Sequence, residues 1–249
     1  MDTENHLLAV LIDADNAQAS IIEELLGEIS KIGTATVKRI YGDFTSPALA
    51  PWRDSLLSHS IQPIQQFRNT VGKNASDSAL IIDAMDLLHS KKFDGICIVS
   101  SDSDFTRLAS RIREEGVKVY GFGEQKTPKS FVVACDRFTY TEILRPPSAA
   151  PKQNNGKATA PTTANVPIKK VDAELLHILK DAVDASAEEN GWAFLGHIGS
   201  LLNRQPDFDP RNYGHKKLGT LFEAAGFEMK NRGADGGPKL VYVKAKGEQ

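Results

Sequence analysis

The chain has 249 residues, 41% of them hydrophobic and 25% charged, ordinary globular values with room for one large domain or two small ones. Thirty basic residues against 32 acidic ones give a formal net charge of −2, which excludes a uniformly basic nucleic-acid protein but not a local basic patch. No apolar run approaches the roughly 18 residues of a transmembrane helix, the opening MDTENHLLAV lacks the basic segment of a signal peptide, and Cys97 and Cys135 have no metal-type spacing. A soluble, cytoplasmic protein without membrane contact or a disulfide framework is expected.

In chain order, LLAVLI (7–12) reads as a first strand, followed by a helix marked by Ile21, Ile22, Leu25, Leu26 and Ile29. TATVKRIYG (34–42) is a second strand, Leu49–Leu57 a short helix and IQPIQQF (61–67) a third strand. After a polar loop comes an amphipathic helix with Leu80, Ile81, Ala84, Leu87 and Leu88. GICIVS (95–100), a helix over Phe105–Arg113 and VKVYGF (117–122) follow, and Phe131–Thr141 adds a short helix and an edge strand. Strands that alternate with helices imply a parallel sheet covered on both faces, so the first half is an α/β open sandwich.

From Pro146 to Pro167 the only large aliphatic side chain is Val166 and there is no aromatic, a composition that cannot bury enough apolar area to order itself. It predicts a flexible linker over 146–170 between domains at 1–145 and 171–249. Residues 1–145 hold 16 basic and 20 acidic residues, whereas 191–249 hold nine and six. Beyond the linker, helices are marked by Leu175, Leu176, Leu179, Ala182 and Val183, then by Leu195, Ile198, Leu201 and Leu202, then by Leu218, Leu221, Phe222 and Ala225. Two strands flanking RGADGGP close a hairpin, which completes the outline of a winged helix. Trp192 and Phe194 are expected in its core, with Tyr213 and Tyr242 as exceptions open to base stacking.

The aspartates of the first domain fall where a parallel sheet makes them converge. Asp13 ends the first strand and Asp102 follows the fourth. With strand order 3-2-1-4-5 these strands are neighbours, and ligands of such sheets bind at their carboxyl ends where the order reverses. Asp77 opens the helix between them, Asn16 lies three residues beyond Asp13 and Asp104 two beyond Asp102. Clustered carboxylates repel one another unless a cation neutralises them, and oxygen-only ligands point to Mg²⁺ or Mn²⁺. Asp77, Ser101 and Asp102 also read as helix N-caps, while Asp83 reads as part of a solvated helix face. Asp13 resists a bland reading, because a carboxylate closing an apolar strand is costly without a partner. Lys73, just ahead of Asp77, is placed to touch a phosphate.

LIDADN (11–16), GKNASDSALIIDAMDLL (72–88) and IVSSDSDFTRL (98–108), in this order, resemble the NYN domain, a branch of the PIN-like metal-dependent nucleases. The resemblance implies a PIN-like (Rossmannoid) fold and active-site positions at Asp13, Asn16, Asp77 and Asp102, with Asp104 as a further acidic one. Asp13 and Asp15 after an apolar strand also resemble the start of haloacid-dehalogenase-type phosphatases, but Ala17 stands where that family has Thr or Val and no Gly-rich turn follows. NYGHKKLGTLFEAAGF (212–227) and the hairpin after it resemble the OST-HTH or LOTUS domain, which implies an RNA-binding or protein-recruiting module. Arg211, His215, Lys216 and Lys217, gathered around the start of the third helix, are the expected RNA contacts. Together these readings predict an Mg²⁺- or Mn²⁺-dependent ribonuclease with RNA as partner. The alternative from another class is a non-catalytic RNA-binding adaptor that recruits a protein through its winged helix.

Overall fold

The apolar runs of the first half become strands of one sheet. In the computed structural model, which describes residues 6–67, 75–145, 169–232 and 240–245, these are β1 (Leu7–Asp13), β2 (Thr34–Gly42), β3 (Gln62–Gln65), β4 (Gly95–Val99), β5 (Lys118–Gly123) and β6 (Arg137–Tyr140). Between them run α1 (Ile22–Ile29), α2 (Trp52–Ser58), α3 (Ala75–His89), α4 (Thr106–Glu114) and α5 (Lys129–Ala134). The strand order is β3-β2-β1-β4-β5-β6, and every neighbouring pair is parallel. The expected order holds, β6 takes the outer edge, and the reversal lies between β1 and β4. Pro63, which has no N–H to donate, is tolerated because β3 pairs on one side only.

Strand parity decides which layer each β1 side chain meets. Leu8, Val10 and Ile12 share a core with Cys97 and Val99 of β4, with Ile22, Leu25 and Ile29 of α1, and with Leu49 and Trp52. Successive strand residues point to opposite faces, so Ala9, Leu11 and Asp13 face the other layer, where α3 packs on β1 and β2. Leu8 through Ile12 are fully buried, which is why the run shows no polar alternation. At about 1.5–3 kcal/mol for each buried Leu or Ile, the two central strands anchor the unit.

The chain separates into two compact units, Met1–Pro146 and Pro147–Gln249. The second contains α6 (Ala173–Asp184), β7 (Ala193–Phe194), α7 (Leu195–Leu202), α8 (Leu218–Ala224), β8 (Glu228–Arg232) and β9 (Leu240–Lys244). Asp172 caps α6, its carboxylate accepting the Leu175 N–H at 3.0 Å. Leu175, Leu179, Val183, Ile198, Leu202, Leu221 and Phe222 from the three helices form its core with Ala193 and Val243. The two-stranded hairpin gains a third strand: the sheet runs β7-β9-β8, antiparallel throughout. The hairpin turn and most of the expected linker lie outside the described residues.

Candidate metal centre

Asp13 is the last residue of β1, 1% exposed, on the face covered by α3. Ionising it there requires donors, and three neighbours supply them. The Ser100 hydroxyl and the Asn16 side-chain amide each donate to Oδ2 at 2.8 Å, and the Asp15 N–H donates to Oδ1 at 3.0 Å. Burial outweighs these bonds and holds the Asp13 carboxyl above its usual range. Ser100 is the first residue past β4, and parity turns its side chain to the same face as Asp13. Its N–H donates to the Phe122 carbonyl of β5 at 2.9 Å. Gly123 permits this close passage of β5, since a Cβ there would stand 2.5 Å from the Ser100 carbonyl oxygen.

Ser100 also ties Asp13 to the next carboxylate, because its Oγ accepts the Asp102 N–H at 3.1 Å. Asp102 in turn caps the 3-10 turn Ser103–Phe105, its Oδ1 accepting the Asp104 N–H at 2.9 Å. Asp77 comes from the first turn of α3, the helix that packs on β1. Carboxylate oxygens of Asp77, Asp102 and Asp104 lie within 4.8 Å of one another. Burial, then the charges of Asp13, Asp102, Asp104 and Asp15, push the Asp77 carboxyl up to about 6. Such a group is short of positive charge, and the donor set around it is all oxygen, the chemistry of a hard divalent cation.

The expected residues thus fall into two sets. Asp77, Asp102 and Asp104 form the open cluster, whereas Asp13 and Asn16 are hydrogen-bonded to each other at the strand end. Lys73 lies outside the described residues. Asp83 is not simply a solvated face residue: its Oδ2 accepts from Arg39 Nη1 at 2.9 Å and from the Tyr41 hydroxyl at 2.7 Å, pinning α3 to β2. Sequence reading overlooks Ser100, although its position one residue past an apolar strand, in phase with Asp13, is a usable signal. It overlooks Glu124 too, whose N–H donates to Ser101 Oγ at 2.8 Å and whose carboxylate pairs with Lys126 at 2.7 Å.

In the second unit, Lys216 and Lys217 are exposed at the start of α8, with His215 half-buried before them. Arg211 differs from its neighbours. It sits on the 3-10 turn Pro210–Tyr213, and its guanidinium meets both oxygens of Asp209, Nε to Oδ1 at 3.0 Å and Nη2 to Oδ2 at 2.7 Å. That pairing offsets its charge locally. The expectation that Trp192 and Phe194 are core residues is corrected: both are half-buried and neither belongs to the apolar cluster, whereas Tyr213 packs against it.

Two family models match the chain, the NYN domain over residues 7–144 and the OST-HTH/LOTUS domain over residues 167–237. No curated protein matches it. Among solved structures it is similar to a protein of unknown function from Vibrio parahaemolyticus, at 17% identity over 56% of this chain and 95% of that one, with a TM-score of 0.47. It is also similar to an uncharacterized protein from Nitrosomonas europaea, at 31% identity over 39% of this chain and 95% of that one, with a TM-score of 0.30.

Proposed function

This chain belongs to the NYN-domain family and carries an OST-HTH/LOTUS domain behind it, and from that premise we propose that it is a metal-dependent ribonuclease whose second domain holds the RNA. NYN is a nuclease-type domain and OST-HTH/LOTUS an RNA-binding one, which supports the division of labour. In this reading residues 1–145 form the nuclease and 171–249 the RNA-holding module, joined by a linker over 146–170. The observation that carries it is the convergence of Asp77, Asp102 and Asp104 within 4.8 Å at the carboxyl edge where the strand order reverses.

Asp77, Asp102 and Asp104 would hold the cation, and Asp13 would add its charge from the end of β1. When bound, Mg²⁺ or Mn²⁺ would polarise a phosphate oxygen and lower the pKa of a bound water, making it a better nucleophile. The chain's own residues do the rest. Ser100 and Asn16 keep Asp13 ionisable and fixed in orientation. Asp102, held by the Ser100 hydroxyl and its capping bond, keeps its carboxylate at the mouth of the cluster. Asn16, Lys73 and, in the second domain, His215, Lys216 and Lys217 orient and attract the phosphates, which an acidic edge alone would repel, while Arg211 is engaged by Asp209. A phosphatase of the haloacid-dehalogenase type needs an accessible nucleophilic aspartate, and a 1% exposed Asp13 with donors on both oxygens does not suit that role.

The test is cleavage of mixed RNA and single-stranded DNA oligonucleotides by the full chain, with and without Mn²⁺. Asp102→Asn and Asp13→Asn are each expected to lower metal-dependent cleavage by about a hundredfold or more, since the clamp they complete is worth several kcal/mol in the transition state. Asp13 accepts three hydrogen bonds, so its variant is assayed where its melting curve is native. Near-wild-type activity would remove that residue from the site. RNA binding without cleavage by the wild type would favour the adaptor.

A further inference from the structure

The small sheet of the second unit has one face in the core and one outside it. Ala193, Val243 and Met229 stand opposite one another across β7, β9 and β8, and all three pack in the core. The adjacent row in register is Phe194, Tyr242 and Lys230. Alternation turns that row to the opposite face, and none of its members belongs to the apolar cluster. Phe194 and Tyr242 are half-buried and Lys230 is exposed.

The side chains of this face make three groups of contacts. The Phe194 and Tyr242 rings meet at 5.7 Å between centroids, and His197 stands edge-on to Phe194 at 5.2 Å. The Lys230 ammonium lies 5.9 Å from the centre of the Trp192 ring. Lys244, two residues beyond Tyr242 and therefore on the same face, donates to the Asn190 carbonyl at 3.3 Å. The seat for Phe194 is built by a glycine: a Cβ on Gly196, in the first turn of α7, would come within 2.6 Å of the ring.

We propose that this face is a stacking platform for the unpaired bases of single-stranded RNA, with Phe194 and Tyr242 as the platform and Lys230 and Lys244 alongside the phosphates. Two rings flanked by Lys230 and Lys244, with Glu228 opposite Lys244, suit a polyanion that exposes π faces. A duplex hides its base faces and an aliphatic protein surface has no use for the lysines. The excess of nine basic over six acidic residues in 191–249 favours the same ligand. The inference rests on the second domain being an RNA-binding one, not on catalysis, and it assigns base contact to a face other than the start of α8.

The experiment is fluorescence anisotropy of the full chain with a short labelled oligouridylate and with an RNA duplex, both in EDTA so that cleavage plays no part. The double variant Phe194→Leu, Tyr242→Leu keeps both positions apolar and removes the rings. It is expected to lose about tenfold or more in affinity for the single strand, as stacking contributes substantially per base, with duplex binding and the salt slope unchanged. Lys230→Glu, at an exposed position, is expected to lower affinity and flatten the salt slope by about 0.7 or more. A folded double variant that binds oligouridylate like the wild type overturns the proposal and leaves the face to a protein partner. So does an equal loss for single strand and duplex. If the double variant does not fold, unchanged affinity of Lys230→Glu overturns it. Failure of the nuclease reading would be seen separately, as absent cleavage in Mn²⁺ with these binding differences intact.

Discussion

Replacing Asp77 with Asn should stabilise the metal-free protein at about pH 7.5 and remove part of its stability gain on acidification. The Asp77 carboxyl is raised from 3.8 to about 6, first by burial and then by Asp13, Asp102, Asp104 and Asp15. A folded-state pKa above the unfolded one means that the group's stabilising contribution is complete below 3.8 and is lost as pH rises through about 6. Two pH units correspond to about 3 kcal/mol, and screening by solvent at this partly open position reduces that to about 1–2 kcal/mol. Opposing it, a negative charge in the first turn of α3 gains about 0.3–1 kcal/mol from the helix dipole. Burial and repulsion together win by about 1 kcal/mol, or about 3 °C in melting temperature for a unit of this size. Melting curves in EDTA at about pH 7.5 and pH 5 should show the variant above the wild type at the higher pH, with the gap narrowed at the lower because the Asp77 contribution is complete only below 3.8. Mn²⁺ should reverse the order at the higher pH, since the wild type binds it more tightly. An Asp77→Asn variant that melts at or below the wild type in EDTA at about pH 7.5 would refute this account of the cluster.

Ser100→Ala removes the hydroxyl that donates to Asp13 and accepts from Asp102. It should destabilise the fold by about 1–3 kcal/mol in denaturant titrations and shrink the melting-temperature gain on adding Mn²⁺; unchanged stability would show that Ser100 does not support Asp13. Charge reversal of Lys216 and Lys217 together should weaken RNA binding and flatten its log-log salt dependence by about 0.7 per lost phosphate contact. An unchanged slope would make the start of α8 a solvated or protein-binding face.

Much of this architecture is legible in the sequence because a parallel sheet writes itself as continuous apolar runs, and each run stops where the carboxyl edge begins. Asp13 and Asp102 are visible as polar residues that end such runs. Asp83 is less legible, because its partners Arg39 and Tyr41 lie on β2, far off in sequence, and nothing local distinguishes it from a solvated helix carboxylate. Phe194 misleads for a related reason. An aromatic beside a helix start usually packs inward, and only the two-residue strand β7 and its register with Tyr242 turn it out. Arg211 reads as a free cation until the turn Pro210–Tyr213 folds it back on Asp209. In each case the missing information is register or turn geometry, which depends on contacts distant in sequence.

The neighbour relation between β1 and β4 also constrains how the molecule comes into being. Asp13 and Ser100 are 87 residues apart, so their meeting closes a long loop, a slow kind of event in chain folding. Strands β1, β2 and β3 emerge from the ribosome first, and until β4 follows, β1 presents an unpaired apolar edge of the kind that invites aggregation. Insertion of β4 removes that hazard and in the same movement brings the carboxylates of the two strand ends together. A cation held by Asp77, Asp102 and Asp104 would therefore act on the completed sheet: it would resist the parting of α3 from the turn after β4 and slow unfolding, while leaving the pace of assembly to the chain.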